Sequence, residues 1–189
     1  WSPFVGMFIA RISRGRTIRP KSLGQKAYTD AIEESTITFG VGPAGTGKSH
    51  LLVALGHAAI DAGHRVRYFT AADLVETLYR GLADNSVGKT IDTLLRNDLI
   101  LLDELGFAPL DDTGAQLLFR FIAAAYERRS LGVASHWPFE AWGRFLPEHT
   151  TAVSMLDRLL HHCHTVVTDG DSYRMRQARA KGGTRPNTN

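Results

Sequence analysis

The chain has 189 residues, of which 43% are hydrophobic and 22% charged, and its formal net charge is +3. This is the composition of a globular protein with enough apolar side chains for one core, which excludes a disordered or fibrous chain. No apolar run reaches the length of a membrane span and the lone Cys163 excludes an internal disulfide, so we expect a cytoplasmic protein with no membrane partner.

Charge is distributed unevenly along the chain. Residues 1–29 carry six basic residues and residues 172–189 carry five, and neither segment carries an acid. The stretch between them holds the other 11 basic and all 19 acidic residues, a net charge of −8. Two basic arms on an acidic body predict contact with a polyanion, above all nucleic acid, and solubilising tails are the alternative. Since the chain begins at Trp1 rather than Met, we also expect it to be a fragment of a longer protein.

Three segments are predicted. They are a basic, partly flexible N-terminal segment at 1–35, a domain at 36–181 and a disordered tail at 182–189. No internal repeat and no long linker interrupts the central segment, so we expect it to fold as one unit.

The first predicted strand, 36–41, leads into a phosphate-binding loop. The run after it fits the pattern G-x-x-x-x-G-K-[ST] at every position: Gly42, Pro43, Ala44, Gly45, Thr46, Gly47, Lys48 and Ser49. A helix is predicted from 48 to about 62, and its N-terminus adds a positive dipole end beside glycines whose N–H groups can approach a phosphate. ATP and Mg²⁺ are therefore the expected cofactors, with Lys48 on the β- and γ-phosphates and Ser49 on the metal.

A second motif follows further along the chain. The next predicted elements are a strand at 65–70, amphipathic helices at 71–83 and 86–96, and a strand at 99–104. The strand at 99–104 is apolar on both faces and ends in Asp103 and Glu104, as a central strand of a parallel sheet does at its ligand-binding edge. We expect Asp103 to lie near the Mg²⁺ held by Ser49, and Glu104 to polarise the water that attacks the γ-phosphate. A strand that ends in a solvated turn is the alternative.

The remaining elements complete an alternating pattern. They are a helix at 113–129, a strand at 131–135, a helix at 153–162 and a strand at 165–168. Strands that alternate with helices predict an α/β fold, a parallel five-stranded sheet with helices on both faces, as in P-loop NTPases. The His161-His162-Cys163-His164 run predicts no metal site, because adjacent residues point in different directions. Trp137, Phe139 and Trp142 are expected to pack in the core.

Five segments, in order, carry a family resemblance. They are Gly47-Lys48-Ser49-His50-Leu51, Leu102-Asp103-Glu104-Leu105-Gly106, Ser135-His136-Trp137-Pro138-Phe139, Leu156-Asp157-Arg158-Leu159-Leu160-His161 and Ser172-Tyr173-Arg174. Over about residues 49–183 the chain resembles the IstB-like ATPases that assist transposition of insertion sequences, relatives of the helicase loader DnaC in the AAA+ class. The resemblance implies an AAA+ core, here without a clear lid domain, and it adds His50 to the nucleotide-binding residues.

Upstream, a second resemblance takes over. Thr17-Ile18-Arg19-Pro20-Lys21, Gly24-Gln25-Lys26 and the run from Phe39 to Lys48 resemble the PhoH-like ATPases. IstB-like proteins usually have proline where this chain has Ala44, so the chain resembles a PhoH-like segment joined to an IstB-like body at the phosphate loop. The resemblance implies that Gln25 reads the adenine edge, and a surface glutamine is the alternative.

The IstB-like resemblance also implies roles for residues beyond the loop. Ser135 and His136 stand where the family commonly has Ser-Asn, at the sensor of the γ-phosphate. Arg158 matches an arginine finger that acts on a neighbouring subunit's nucleotide, and an ion pair within the chain is the alternative. Arg174 is implied either as a second phosphate-sensing arginine or as a DNA contact.

The expected function is therefore an ATP-hydrolysing AAA+ helper of insertion-sequence transposition. Its expected partners are double-stranded DNA, a transposase and further copies of itself. Two alternatives remain open at this point: a PhoH-like ATPase that acts on RNA, and an ATP-dependent DNA-binding module without turnover.

Overall fold

Seven strands form two sheets in the part of the chain that the structure describes. The structure is a computed structural model, and it describes residues 10–11, 17–18, 26, 37–42, 45–126, 128–147 and 163–167. In chain order the strands are β1 (Ala10–Arg11), β2 (Thr17–Ile18), β3 (Ile37–Val41), β4 (Val66–Thr70), β5 (Leu99–Leu105), β6 (Ser130–Ser135) and β7 (Cys163–Val167). β1 and β2 form a short antiparallel pair. The other five form one parallel sheet.

The order of strands in the parallel sheet is β4-β5-β6-β3-β7. β3 therefore lies inside the sheet, between β6 and β7, and β4 forms one edge. Because all five strands run the same way, their carboxyl ends lie along the same side of the sheet, which we call its carboxyl edge. Ligands of open α/β sheets bind at that edge.

Four α-helices and one 3₁₀ helix connect the described strands. They are α1 (Lys48–Asp61), α2 (Ala71–Arg80), α3 (Val87–Leu94), α4 (Asp112–Ala125) and the 3₁₀ helix Phe139–Arg144. α1 packs on one face of the sheet, where its leucines meet Leu99 and Leu101 of β5. α2, α3 and α4 pack on the other face, against Ile100 and Leu102. The predicted α/β class, a five-stranded parallel sheet with helices on both faces, is confirmed.

β5 shows why the two layers form. Every residue from Leu99 to Asp103 is buried, as expected for a strand covered on both faces. Successive side chains of a strand point to opposite faces, so the odd-numbered residues of this run face α1 and the even-numbered ones face the other helices. Asp103 belongs to the odd set and therefore lies on the face that α1 covers.

Element boundaries depart from the sequence prediction in a few places. The helix predicted at 71–83 ends at Arg80, because i→i+3 bonds from the N–H groups of Gly81 and Leu82 tighten the last turn. The helix predicted at 113–129 ends at Ala125, where Tyr126 leaves helical geometry with φ −50° and ψ 130°. The helix predicted at 153–162 lies outside the described residues.

Two features were not predicted from the sequence. One is the β1–β2 pair, which lies within the segment that we expected to be partly flexible. The other is the 3₁₀ helix that starts after Pro138. Its Trp142 is fully buried against Phe139 and Phe145, in agreement with the core role predicted for it.

Candidate functional site

The loop between β3 and α1 is shaped by glycines in left-handed backbone geometry. Gly45 and Gly47 have φ values of 87° and 95°, which L side chains rarely adopt. Gly47 is the N-cap of α1, and no side chain caps this helix or places an acid in its first turn. The positive end of the helix dipole is therefore left for an anion, and the loop can present backbone N–H groups to it.

Lys48 is folded into this loop rather than extended into solvent. Its side chain is buried, and its Nζ donates to the carbonyl oxygen of Gly42 at 2.5 Å. Burial lowers the pKa of the Lys48 ammonium, and the nearby Asp103 carboxylate partly opposes that shift. A buried cation at the mouth of a glycine loop is an arrangement that suits a phosphate.

Asp103 and Ser49 meet at the carboxyl edge of the sheet. The Ser49 hydroxyl, in the first turn of α1, donates to Oδ1 of Asp103 at 3.0 Å. The contact follows from the fold, because Asp103 is on the α1 face of β5 and α1 starts at that edge of the sheet. The sequence prediction placed these two residues side by side, and the structure brings them together.

Tyr68 is a member of this cluster that the sequence analysis missed. Its hydroxyl donates to Oδ2 of Asp103 at 3.0 Å. Partial desolvation of the phenol and the nearby Asp103 carboxylate raise the pKa of Tyr68, so it stays protonated and remains a donor at neutral pH. The signal in the sequence was its position two residues before Thr70, the residue that pairs with Asp103 once β4 is aligned with β5.

Glu104 has an exposed side chain on an unusual backbone. Its φ is 57°, in the left-handed region, and its N–H donates to Oδ1 of Asp103 at 2.8 Å. The pairing of β5 with β6 shifts register between Leu102 and Leu105, which frees this residue from the regular ladder. The shift directs the carboxylate away from the buried strand and toward solvent at the phosphate-loop edge.

Ser135 is buried where the ends of β5 and β6 meet. Its side chain is 0% exposed, and its hydroxyl donates to the carbonyl oxygen of Trp137 at 2.8 Å, with the Leu105 carbonyl at 3.3 Å. The structure therefore gives this hydroxyl a role in joining the ends of β5 and β6. His136 is half-buried, its backbone N–H donates to the Leu105 carbonyl at 3.0 Å, and its ring meets Trp137 edge-on.

Other predicted site residues fall into two groups. Thr46 is buried in the loop and His50 is exposed on the first turn of α1. The rest lie outside the described residues: Gln25, Pro43, Ala44, Arg158 and Arg174.

The donor set fits a nucleotide with Mg²⁺ better than a protein-only metal centre. Within the described residues, no three His, Cys, Asp or Glu side chains converge as ligands for a metal ion. Ser49 and Asp103 offer hydroxyl and carboxylate oxygen, the hard donors that Mg²⁺ takes together with waters and substrate phosphates. None of the helices described has the length and apolar character to cross a bilayer.

A family model for IstB-like ATP-binding proteins matches residues 13–181. The ATP-binding protein of insertion sequence IS21 from Pseudomonas aeruginosa is 37% identical over 157 residues, which are 83% of this chain and 59% of that protein. Its counterpart from insertion sequence IS5376 of Geobacillus stearothermophilus is 36% identical over 74% of this chain and 55% of its own length. The chain thus spans a little over half the length of these two relatives.

The second predicted resemblance is also found. A PhoH-like protein of Mycobacterium leprae is 42% identical over 86 residues, which are 45% of this chain and 25% of that protein. The IstB-like match begins at residue 13, well upstream of the position near 49 where we expected it to start.

Solved structures with the same fold include proteins of DNA replication. A DnaC helicase loader superposes with a TM-score of 0.68 at 20% identity, over 80% of this chain and 94% of that one. A DnaA replication initiator, solved with AMPPCP and single-stranded DNA, gives 0.64 at 22% identity, over 82% and 49%. At these identities the likeness shows a shared fold.

Proposed function

The chain belongs to the IstB-like ATP-binding proteins, and from that premise we propose that it is an AAA+ ATPase that helps insertion-sequence transposition. The observation that carries the proposal is the contact between Ser49 and Asp103, with Lys48 in the adjoining loop and Glu104 next along the chain. These four residues supply the recurring parts of a site that hydrolyses a nucleoside triphosphate. We assign them to a catalytic domain at 36–181.

In the proposed reaction, water attacks the γ-phosphate and ADP leaves. Lys48 holds the β- and γ-phosphates, and the glycine loop holds them through N–H groups. Glu104 accepts a hydrogen bond from the attacking water and orients it in line with the leaving oxygen. Ser49 and Asp103 hold Mg²⁺, which neutralises charge on the phosphate oxygens when bound. Catalysis is then mostly positioning and charge stabilisation.

The proposed partners are double-stranded DNA, a transposase and further copies of the chain. The support is the naming of the relatives as insertion-sequence proteins and the two basic arms on an acidic body. Arg158, given in trans to a neighbouring subunit, completes the site only in an assembly, so the isolated subunit is a poor ATPase in this proposal. The proposed compartment is the cytoplasm.

The test of this function is phosphate release from ATP–Mg²⁺, measured with and without double-stranded DNA across a range of protein concentrations. We expect turnover that rises with DNA and rises more than linearly with protein. Glu104→Gln should lower turnover by about 10²–10⁴-fold, since it removes the group that orients water. Glu140→Gln, which alters an exposed glutamate on the 3₁₀ helix, is the matched control and should leave turnover unchanged.

Nucleotide binding is tested separately with a fluorescent ATP analogue. Lys48→Ala should remove measurable binding, because the variant has no buried ammonium in the phosphate loop, whereas Lys89→Ala on the exposed side of α3 should bind as the wild type does. Binding without turnover at any protein or DNA concentration would favour the non-catalytic DNA-binding module. Stimulation by RNA in preference to DNA would favour the PhoH-like alternative.

A further inference from the structure

The Asp103 carboxylate is held from two sides. Oδ1 accepts from the Ser49 hydroxyl at 3.0 Å and from the Glu104 N–H at 2.8 Å. Oδ2 accepts from the Tyr68 hydroxyl at 3.0 Å. The backbone N–H cannot be removed by a side-chain substitution, and Ser49 is itself a proposed metal ligand. Tyr68 is therefore the side chain that orients this carboxylate without belonging to the nucleotide site.

The Tyr68 hydroxyl can reach the Asp103 carboxylate because of the register in which β4 pairs with β5. Thr70 pairs with Asp103 and Tyr68 pairs with Leu101, so Tyr68 is the diagonal neighbour of Asp103 on the same face of the sheet. Diagonal neighbours have Cα atoms roughly 7–8 Å apart, a distance that a tyrosine can span and a serine or threonine cannot. The hydroxyl thus reaches the carboxylate from the edge strand, along the sheet.

The exposure of Tyr68 argues against a mainly structural role for its hydroxyl. The residue is 43% exposed and lies on an edge strand, whereas the apolar core beneath it is formed by α1 and the inner strands. A phenylalanine at this position would keep the ring and its packing and would remove only the donor to Oδ2. The hydroxyl can therefore be tested independently of the fold.

We propose that Tyr68 is a positioning residue of the Mg²⁺ site: it fixes the orientation of the Asp103 carboxylate toward Ser49 and the metal. This inference rests on the proposed function. Groups that hydrogen-bond to a metal-holding carboxylate set its direction and lower the cost of ordering it when the metal arrives. Tyr68 acts through Asp103 and touches neither the phosphates nor the water in this proposal.

The test is a Mg²⁺ titration of fluorescent-ATP binding to Tyr68→Phe and to the wild type, with the metal-free affinity measured in excess chelator. We expect the Mg²⁺ concentration at half-maximal enhancement to rise by about tenfold or more, and the metal-free affinity to stay unchanged. Tyr79→Phe is the matched control. It also removes a phenol that donates to a carboxylate, that of Asp111, but at the start of α4, and should leave the titration unchanged.

Each outcome has a definite meaning. An unchanged Mg²⁺ midpoint in Tyr68→Phe overturns the proposal while leaving the ATPase function intact. An equal loss of affinity with and without Mg²⁺ also overturns it, because the hydroxyl would then support the fold or the nucleotide rather than the metal. If the wild type binds no ATP in either condition, the proposed function fails, and the metal-positioning role fails with it.

Discussion

Glu104, for which we propose a role in hydrolysis, has a backbone conformation that glycine would adopt more easily. At φ 57° a non-glycine residue carries strain of about 1–2 kcal/mol. Two hydrogen bonds hold it there: its N–H donates to Asp103, and its carbonyl oxygen accepts from the Phe107 N–H at 3.1 Å. In this geometry the side chain is exposed, whereas its neighbours Asp103 and Leu105 are buried.

The strain predicts an unusual result for substitution by glycine. Glu104→Gly should melt about 2–4 °C above Glu104→Gln, because glycine relieves roughly 1 kcal/mol of strain that glutamine retains, and both variants should lose turnover. Thermal melting of the two variants without nucleotide measures the difference. Glu140→Gly, compared with Glu140→Gln in the 3₁₀ helix, should show the opposite order. Equal melting points for the two Glu104 variants would contradict the strain argument.

For individual residues, the sequence predicts those positions that belong to a short local motif. The sequence analysis placed Lys48, Ser49 and Asp103 near one another because a loop motif and an acid-tipped strand can each be recognised within a few neighbouring residues. Tyr68 was not found, since its contact depends on which strand pairs with β5 and in which register. Ser135 was given a phosphate-sensing role by resemblance, and its burial against Leu105 and Trp137 could not be read from the motif.

The segments that follow β5 and β6 are joined to one another by several hydrogen bonds. The indole Nε1 of Trp137 donates to the Gly106 carbonyl at 3.0 Å, and the N–H of Leu110 donates to the Phe145 carbonyl at 2.9 Å. The Arg144 guanidinium lies 4.6 Å from the centre of the Trp137 ring. The connection that follows Glu104 and the end of β5 is therefore braced by the 3₁₀ helix region.

The start of α4 gives a prediction at the scale of the element. The carboxylate of Asp111 caps this helix by accepting from the Gly114 N–H at 2.8 Å, and it also accepts from the Tyr79 hydroxyl of α2. These two donors hold the pKa of Asp111 below its ordinary value. The ionised cap therefore ties α4 to α2 as well as satisfying the helix end.

Asp111→Ala should lower the urea midpoint of unfolding at neutral pH. Because the folded pKa is depressed, the difference from the wild type should persist as the pH falls to the unfolded value of about 3.9, and shrink as the pH passes through the lower folded value. Urea melts at a series of pH values measure it. Asp112→Ala removes a neighbouring acid whose side chain does not cap the helix, and it should lower the urea midpoint at neutral pH by less. A difference that grows in acid would contradict the role of the charged cap.

Secondary structure elements were predicted to within one or two residues wherever hydrophobic periodicity defines them. All five strands of the parallel sheet and the helices α1 and α3 fall in this group. The ends of α2 and α4 were placed too late, because exposed polar residues continue the helical pattern after packing against the sheet has stopped. The 3₁₀ helix was missed because six residues are too few to show a period.

At the scale of the whole molecule, the charge of the arms is opposite to that of the body. The acidic central stretch repels DNA at long range, so any affinity for DNA must come largely from the basic segments 1–29 and 172–189. Binding of this kind is made to phosphates and releases counterions, which makes it strongly dependent on salt.

Neutralising the C-terminal arm should therefore weaken DNA binding and flatten its salt dependence. The variant replaces with glutamine the five basic residues Arg174, Arg176, Arg179, Lys181 and Arg185. For every DNA phosphate that the arm no longer neutralises, the slope of log affinity against log salt should fall by about 0.9, measured by fluorescence anisotropy with a labelled duplex. The control neutralises five exposed basic residues of the body: Arg67, Lys89, Arg96, Arg120 and Arg128. An equal change of slope in both variants would show that net charge, rather than the arm, determines binding.

The position of β3 in the sheet has a consequence for synthesis on the ribosome. Ile37 at the start of this strand pairs with Leu131 of β6 on one side and Cys163 of β7 on the other, so both of its partners are made long after it. A nascent chain therefore carries its phosphate loop before either strand that pairs with β3 has been made. Bringing β3 together with partners so distant in sequence is slow, because a long loop must close. ATP can stabilise only a chain that already includes β6, and a polypeptide that ends before β6 has the whole motif and lacks the strand that pairs with β3 on that side.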